Sequence, residues 1–138
     1  MDDRAGLAGM GRHTHVLLTS FRRDGTAVGT PVWVVADGDA LLAITGAGTG
    51  KVARLRHTRR VRITPCRPSG RPLPGHHPLE ATADLLTAAS EVRRVRSLIR
   101  ARYGLRYTFA TALLRLRHGG PGAEVAIRIT ARPTPPMA

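Results

Sequence analysis

The sequence predicts a mainly β protein: a small barrel of six short strands with helices on its rim. Short apolar runs rich in β-branched residues recur along the chain and are separated by Asp-Gly or Pro/Gly-rich turns. One short helical stretch interrupts the early strands, and the longer helical patterns come late. This order is unlike the strand–helix alternation of a parallel sheet, which favours an antiparallel barrel.

The first half of the chain predicts a hairpin, a third strand and a short helix. The strands are expected at residues 13–21, 26–36 and 40–45, and the helix at 51–57. Asp-Gly pairs supply the two intervening turns. Pro31 cannot donate to a strand ladder, so the second strand should lie at a sheet edge or contain a bulge.

The second half predicts three more strands around a helical insert. The strands are expected at residues 59–66, 79–86 and 123–131, and the helices at 91–102 and 108–117, with a break at 118–122. Val92, Val95 and Ile99 have helical spacing in the first of these helices. A proline-rich loop at 67–78 carries no motif that assigns it a role.

Length and composition indicate one domain over residues 1–138, with flexible ends at 1–12 and 132–138. No apolar run is long enough to cross a bilayer, and the acidic start is unlike a secretory signal. The single cysteine, Cys66, excludes an internal disulfide. We therefore expect a cytoplasmic protein without membrane contact.

The net charge is +13, from 22 basic and 9 acidic residues. Such a balance attracts nucleic acid, acidic membranes or a small ligand with several negative groups. The scarcity of aromatic residues argues against a base-stacking platform for single strands. The arginines of the helix at 91–102 are interpreted as a solvated face rather than a DNA- or membrane-binding face, so nucleic acid is not the favoured partner.

Residues 46–50, GAGTG, form a glycine-rich loop directly before Lys51, which is the only lysine among the 22 basic residues. Glycines let a backbone approach an anion, and a helix N-terminus offers unpaired N–H groups and a positive dipole end. Lys51 adds a point charge at the same place. The spacing matches neither the Rossmann fingerprint nor the Walker loop. We interpret it as a phosphate site of another kind.

Other candidate groups favour plain structural roles. His13 and His15 share one strand face, but no further ligands are near in sequence, so no metal site is predicted. A lone cysteine is more often an apolar filler than a nucleophile. Glu80 and Glu124 lie on strands and are expected to be buried or paired, and no catalytic acid or base is identified.

Three segments resemble a known family: FRxDGTxVxTPVW at 21–33, Tx4GKx2RLR at 45–56 and VxIxPC at 61–66. They resemble the split-barrel flavin and deazaflavin oxidoreductases, the pyridoxamine-phosphate-oxidase-like proteins, and among these the actinobacterial branch that uses coenzyme F420. Shorter similarities at 80–83, 102–104 and 127–130 extend the resemblance over nearly the whole chain.

The resemblance implies a homodimer of six-stranded split β-barrels with two cofactor sites at the interface. It implies a reductase that transfers a hydride between coenzyme F420 and a small organic substrate, with the cofactor supplying the chemistry. The implied cofactor-binding residues are Thr30, Pro31, Val32, Trp33, Thr45, Thr49, Gly50, Lys51, Arg54, Pro65 and Cys66. FMN or haem as the bound group, and a basic nucleic-acid- or anion-binding module, stay open as alternatives. The substrate, and any contact from His76 or His77, also stays open.

Overall fold

The structure is a computed structural model that describes residues 3–104 and 124–131. The helix predicted at 108–117, the break at 118–122 and the C-terminal end at 132–138 lie outside these residues. The described strands are β1 (His15–Phe21), β2 (Ala27–Trp33), β3 (Val35–Asp37), β4 (Ala40–Gly46), β5 (Arg60–Cys66), β6 (Leu79–Leu86) and β7 (Glu124–Ala131). The described helices are α1 (Asp3–Gly9), a 3-10 turn (Met10–Arg12), α2 (Gly50–His57) and α3 (Ala89–Tyr103).

All neighbouring strands are antiparallel, in the order β2-β1-β5-β6-β7-β4-β3. The two edge strands, β2 and β3, are consecutive in the chain and are joined by Val34 alone. Because one residue links the two edges, the sheet must curl round until they meet. The mainly β fold class predicted from the sequence is confirmed.

The single strand predicted at 26–36 is two strands, which makes seven in the described residues instead of six. The chain leaves its ladder with β1 after Trp33 and joins β4 from Val35 onwards. At the crossing, the Val34 N–H donates to the Thr14 carbonyl over 3.3 Å, outside either ladder. Pro31 lies opposite Leu17 on an edge strand, as its missing N–H required.

Alternation along the strands divides the apolar residues between two cores. Leu41 and Ala43 of β4 point into the barrel with Val16, Leu18 and Ile63. The intervening residues of β4 and β7 pack outward against the apolar stripe of α3. α2 packs at one end of the barrel, where Leu55 joins the interior core. In the described ranges, no helix is long and apolar enough to cross a bilayer.

Candidate anion and cofactor site

The loop between β4 and α2 leaves the N-terminus of α2 without a side-chain cap. The Thr49 hydroxyl donates to the Gly46 carbonyl over 2.9 Å, and the Thr49 N–H donates to the same carbonyl over 3.2 Å. The hydroxyl therefore closes the loop instead of accepting from an N–H of α2. The first turn of the helix contains no acidic residue. This end of α2 keeps the unpaired N–H groups and positive dipole that attract an anion.

Lys51 stands in this first turn, where the helix dipole disfavours a cation. Its Nζ donates to the Thr45 hydroxyl over 2.8 Å. Burial lowers the pKa of Lys51, and the nearby Arg54 guanidinium lowers it further. No carboxylate pairs with Lys51 within the part of the chain that the structure describes. The fold thus holds a partly buried ammonium without a described counter-charge there.

Arg54 lies three residues further along the same helix face. Its Nε donates over 2.6 Å to the hydroxyl of Ser20, a buried residue near the end of β1. The guanidinium lies over Gly50, where a Cβ would come within 2.9 Å of Nη1. Burial lowers the pKa of Arg54, with a further contribution from Arg22. Glycine at position 50 therefore gives this guanidinium room beside the helix N-terminus.

The described carboxylates of the sheet are engaged by other arginines. Asp37 pairs with Arg94 and Arg128, Glu80 with Arg60 and Arg62, Asp84 with Arg59, and Glu124 with Arg96. These pairs confirm the expectation that the strand glutamates are paired. They leave Lys51 and Arg54 as neighbouring cations that no described carboxylate neutralises.

The four candidate residues of β2 alternate between the two faces of the sheet. Thr30 and Val32 point inward, and Pro31 and Trp33 point outward. All four lie on an edge strand, and among the described strands this strand pairs only with β1. This arrangement suits the backbone contacts that the resemblance implies for a ring system.

Trp33 is held between two rings. Its ring packs edge-on against Tyr103 of α3, with centroids 4.7 Å apart, and against His15 of β1, with centroids 5.1 Å apart. Tyr103 was not singled out as a site residue from the sequence, because its contact with Trp33 joins segments far apart in the chain. Its place in the short family similarity at 102–104, which reads RYG, was the one available signal.

Pro65 and Cys66 lie on β5, which β1 separates from β2. Pro65 points inward opposite Val16, and Cys66 points outward opposite His15. Cys66 is buried, and burial raises the pKa of its thiol. These features are typical of an apolar filler. A role for either residue beside a cofactor stays a prediction.

Seven of the eleven candidates form two groups at the ends of β1, and the other four, Thr30, Pro31, Val32 and Pro65, lie opposite the residues between them. Thr45, Thr49, Gly50, Lys51 and Arg54 gather at the α2 end, near Ser20, and Trp33 and Cys66 flank His15 at the start of β1. Five residue steps separate His15 from Ser20, or about 17 Å along an extended strand. Ser20 was missed in the sequence, although it is a polar residue in the inward series of Val16 and Leu18. Among the described residues, no group of three or more His, Cys, Asp or Glu could hold a metal ion.

The sheet order, the link at Val34 and the rim helix define a split β-barrel. Residues 6–132 match the family model described as pyridoxamine 5'-phosphate oxidase. The chain belongs to this family. No curated protein matches the sequence significantly.

Several solved structures share the fold. A putative pyridoxamine 5'-phosphate oxidase from Listeria innocua superposes with a TM-score of 0.64 at 19% identity, covering 95% of this chain and 94% of its own. A heme storage protein from Vibrio cholerae gives 0.66 at 11% identity, covering 97% and 93%. An F420 reductase gives 0.51 at 18% identity, covering 93% and 94%. At these identities the similarity establishes a common fold, and the bound groups of these proteins differ.

Proposed function

We propose that this chain is an F420-dependent oxidoreductase in which Lys51, Arg54 and the first turn of α2 bind the cofactor phosphate. The observation that carries the proposal is the pair of adjacent, partly buried cations at an uncapped helix N-terminus, with no described carboxylate beside them. A bound phosphate would accept hydrogen bonds from both side chains and from the free N–H groups. It would also offset the cost of burying Lys51.

The remaining candidates are assigned by the same proposal. Thr45 orients the Lys51 ammonium, Thr49 closes the loop, and Gly50 leaves space for Arg54. Thr30, Pro31, Val32 and Trp33 flank the ring along β2, with Pro65 and Cys66 on the neighbouring part of the sheet. The deazaflavin supplies the hydride, and the protein binds the ring and orients it toward a small organic substrate.

Charge favours coenzyme F420 over FMN. Coenzyme F420 carries glutamates in addition to its phosphate, whereas FMN carries the phosphate alone. Arg22 lies close enough to Arg54 to lower the pKa of its guanidinium, so positive charge continues past the proposed phosphate site. The F420 reductase among the solved structures lends support from a shared fold. FMN is the second candidate.

A homodimer with a cofactor site on each side of its interface is part of the proposal. It rests on the resemblance of the sequence to the split-barrel oxidoreductases. Light scattering on the samples used for cofactor titration gives the number of chains per particle.

The test is a fluorescence titration of the purified chain with oxidised coenzyme F420 and, separately, with FMN. We expect F420 to bind and Lys51→Ala to weaken that binding about ten- to hundredfold, because a charge-assisted hydrogen bond contributes roughly 1.5–3 kcal/mol. Arg100→Ala is the matched control, since it removes one exposed positive charge from α3 that makes no described side-chain contact.

Each other outcome decides against part of the proposal. Unchanged affinity in Lys51→Ala would remove the phosphate assignment. Binding of FMN alone would support the phosphate site but would mean that the cofactor is a flavin. A haem absorption band without binding of either cofactor would favour a storage role. If the chain binds none of these groups but binds duplex DNA, the basic-module alternative replaces the enzyme.

A further inference from the structure

Carbonyl oxygens from two distant segments converge on the last turn of α3. Arg102 Nη1 donates to the Val34 carbonyl over 3.0 Å and also to the Gly11 carbonyl, while Nη2 donates to the His13 carbonyl over 3.3 Å. The Tyr103 hydroxyl donates to the Val34 carbonyl and lies 3.3 Å from that of Thr14. Two consecutive side chains of one helix therefore bind the crossing between β2 and β3 to the segment that precedes β1.

The Val34 carbonyl needs these donors because of its place in the sheet. Val34 is fully buried and lies between the two ladders, where the chain passes from one sheet edge to the other. A buried carbonyl without a donor costs free energy comparable to a lost hydrogen bond. Arg102 and Tyr103 supply the donors from outside the sheet. The course of the backbone at the end of β2 therefore depends on these two side chains.

The same helix turn also holds the last side chain of β2. Trp33 directly precedes Val34, and its ring packs edge-on against the Tyr103 ring. The Arg102 guanidinium lies 4.9 Å from the centroid of that Tyr103 ring. The backbone at Val34 and the ring of Trp33 are thus fixed from one place, although neither Arg102 nor Tyr103 belongs to β2.

We propose that Arg102 is a positioning residue for the cofactor-ring segment Thr30–Trp33, acting through the Val34 carbonyl. The inference rests on the proposed function, because it takes this segment to flank the ring. The guanidinium is a planar fork with five donors, and here it reaches three carbonyls at once. A lysine keeps the charge but presents a single nitrogen, so it cannot reproduce the arrangement.

The test compares Arg102→Lys with Arg100→Lys, a control two residues earlier on α3 that also keeps its charge. Two probes separate the ring from the phosphate: coenzyme F420, and the corresponding deazariboflavin, which keeps the ring but lacks the phosphate and glutamates. FMN and riboflavin serve as the equivalent pair. Affinities are measured at a temperature where circular dichroism shows every variant to be folded, and Trp33 emission is recorded without ligand.

We expect Arg102→Lys to lower the affinity for both the cofactor and its ring-only analogue about tenfold, so that the ratio of the two affinities is unchanged. We also expect it to shift the Trp33 emission. Lys51→Ala should weaken only the phosphate-bearing member. Arg100→Lys should match the wild type in every measurement. If the ring compound binds too weakly to measure, the affinity of Arg102→Lys for the phosphate-bearing cofactor decides the matter.

A folded Arg102→Lys that binds the cofactor as the wild type does would overturn the inference and leave a purely structural role, even if its melting temperature falls. If the wild type binds neither the deazaflavin pair nor the flavin pair, the proposed function itself fails. If Lys51→Ala weakens only the phosphate-bearing compound, the proposed cofactor site stands, whatever the affinity of Arg102→Lys. Should Arg102→Lys not fold, Arg102→Gln takes its place, since its amide offers the carbonyls donors from one nitrogen only in place of the planar fork. Equal cofactor affinity in that variant would likewise overturn the inference.

Discussion

Burial acts in opposite directions on the pKa values of Lys51 and Cys66, because in each case it disfavours the charged form. It lowers the pKa of the Lys51 ammonium and raises that of the Cys66 thiol. The ammonium stands at a helix N-terminus, where an anion would reverse the effect. The thiol lies on β5 opposite His15, with no described positive group shifting its pKa. The two residues were both candidates in the sequence, and their surroundings distinguish them.

Cys66 should therefore react slowly with an aromatic disulfide reagent at neutral pH. The thiolate is the reactive form, and both its small population and the burial of the side chain slow the reaction. The rate in the native protein is compared with that in denaturant, where we expect much faster labelling. Equal rates in the two conditions would contradict the assignment of Cys66 as an apolar filler.

Single residues were predictable where the chemistry is local. The loop at 46–50 and Lys51 could be recognised because a glycine loop, a cation and a helix start are adjacent in the chain. Ser20 and Arg102 could not, since each acts across a long stretch of sequence: Arg54 reaches back 34 residues to Ser20, and Arg102 reaches back 91 residues to Gly11. Side-chain reach of this kind leaves only weak signals in one sequence, such as a polar residue in the inward series of β1.

Among the elements, local β propensity predicted β5, β6 and β7 to within one residue at each end. It failed at β2 and β3, because the run from Val32 to Ala36 reads as one apolar strand. The division at Val34 depends on which neighbour each half pairs with, and on donors supplied by α3. Local propensity contains neither piece of information.

The loop at 67–78 lies against the outer face of the barrel. The Leu73 N–H donates to the Pro65 carbonyl over 3.0 Å, and a Cβ on Gly70 would lie 3.6 Å from Pro31. Towards its end, the His76 ring packs edge-on against His13, with centroids 5.3 Å apart. Burial lowers the pKa of His13 below its ordinary 6.5, and His76, Arg12 and Arg102 lower it further.

This histidine contact predicts a loss of stability in acid. The folded pKa of His13 is depressed, so below pH 6.5 the unfolded chain binds more protons, and the free energy of unfolding falls as the pH drops through the folded pKa. His76→Gln removes one of the positive charges that disfavour protonation of His13, so the free energy of unfolding should fall less in this variant. His77→Gln is the control, since it changes the adjacent histidine of the same loop. Urea unfolding at about pH 7.5 and about pH 5.5 provides the measurement.

The His13 contribution would be disproved if His76→Gln and His77→Gln lost the same stability as the wild type between those two pH values. A larger loss in His76→Gln would also contradict it, because the sign of the interaction with His13 would then be reversed.

Over the whole molecule, the net charge of +13 narrows the class of ligand without choosing it. A sum of charges gives no positions, and many arginines are already engaged in pairs along the sheet. What the fold adds is the location, at one rim of the barrel, of two cations that no described carboxylate neutralises. The fold class itself was predictable, because it depends on the order and spacing of strands along the chain.

The distribution of charge predicts how binding responds to salt. Coenzyme F420 carries more negative groups than FMN, so its affinity should fall more steeply between about 0.05 and about 0.5 M salt, as screening weakens attraction between partly exposed charges. The corresponding deazariboflavin lacks phosphate and glutamates and serves as the control, with an affinity that barely changes. Titrations at several salt concentrations give the slopes.

Equal slopes for F420 and FMN would mean that only the phosphate meets positive charge, and the preference for F420 would then lose its electrostatic basis. A steep slope for duplex DNA in a chain that does not bind F420 would instead favour the alternative of a basic nucleic-acid-binding module.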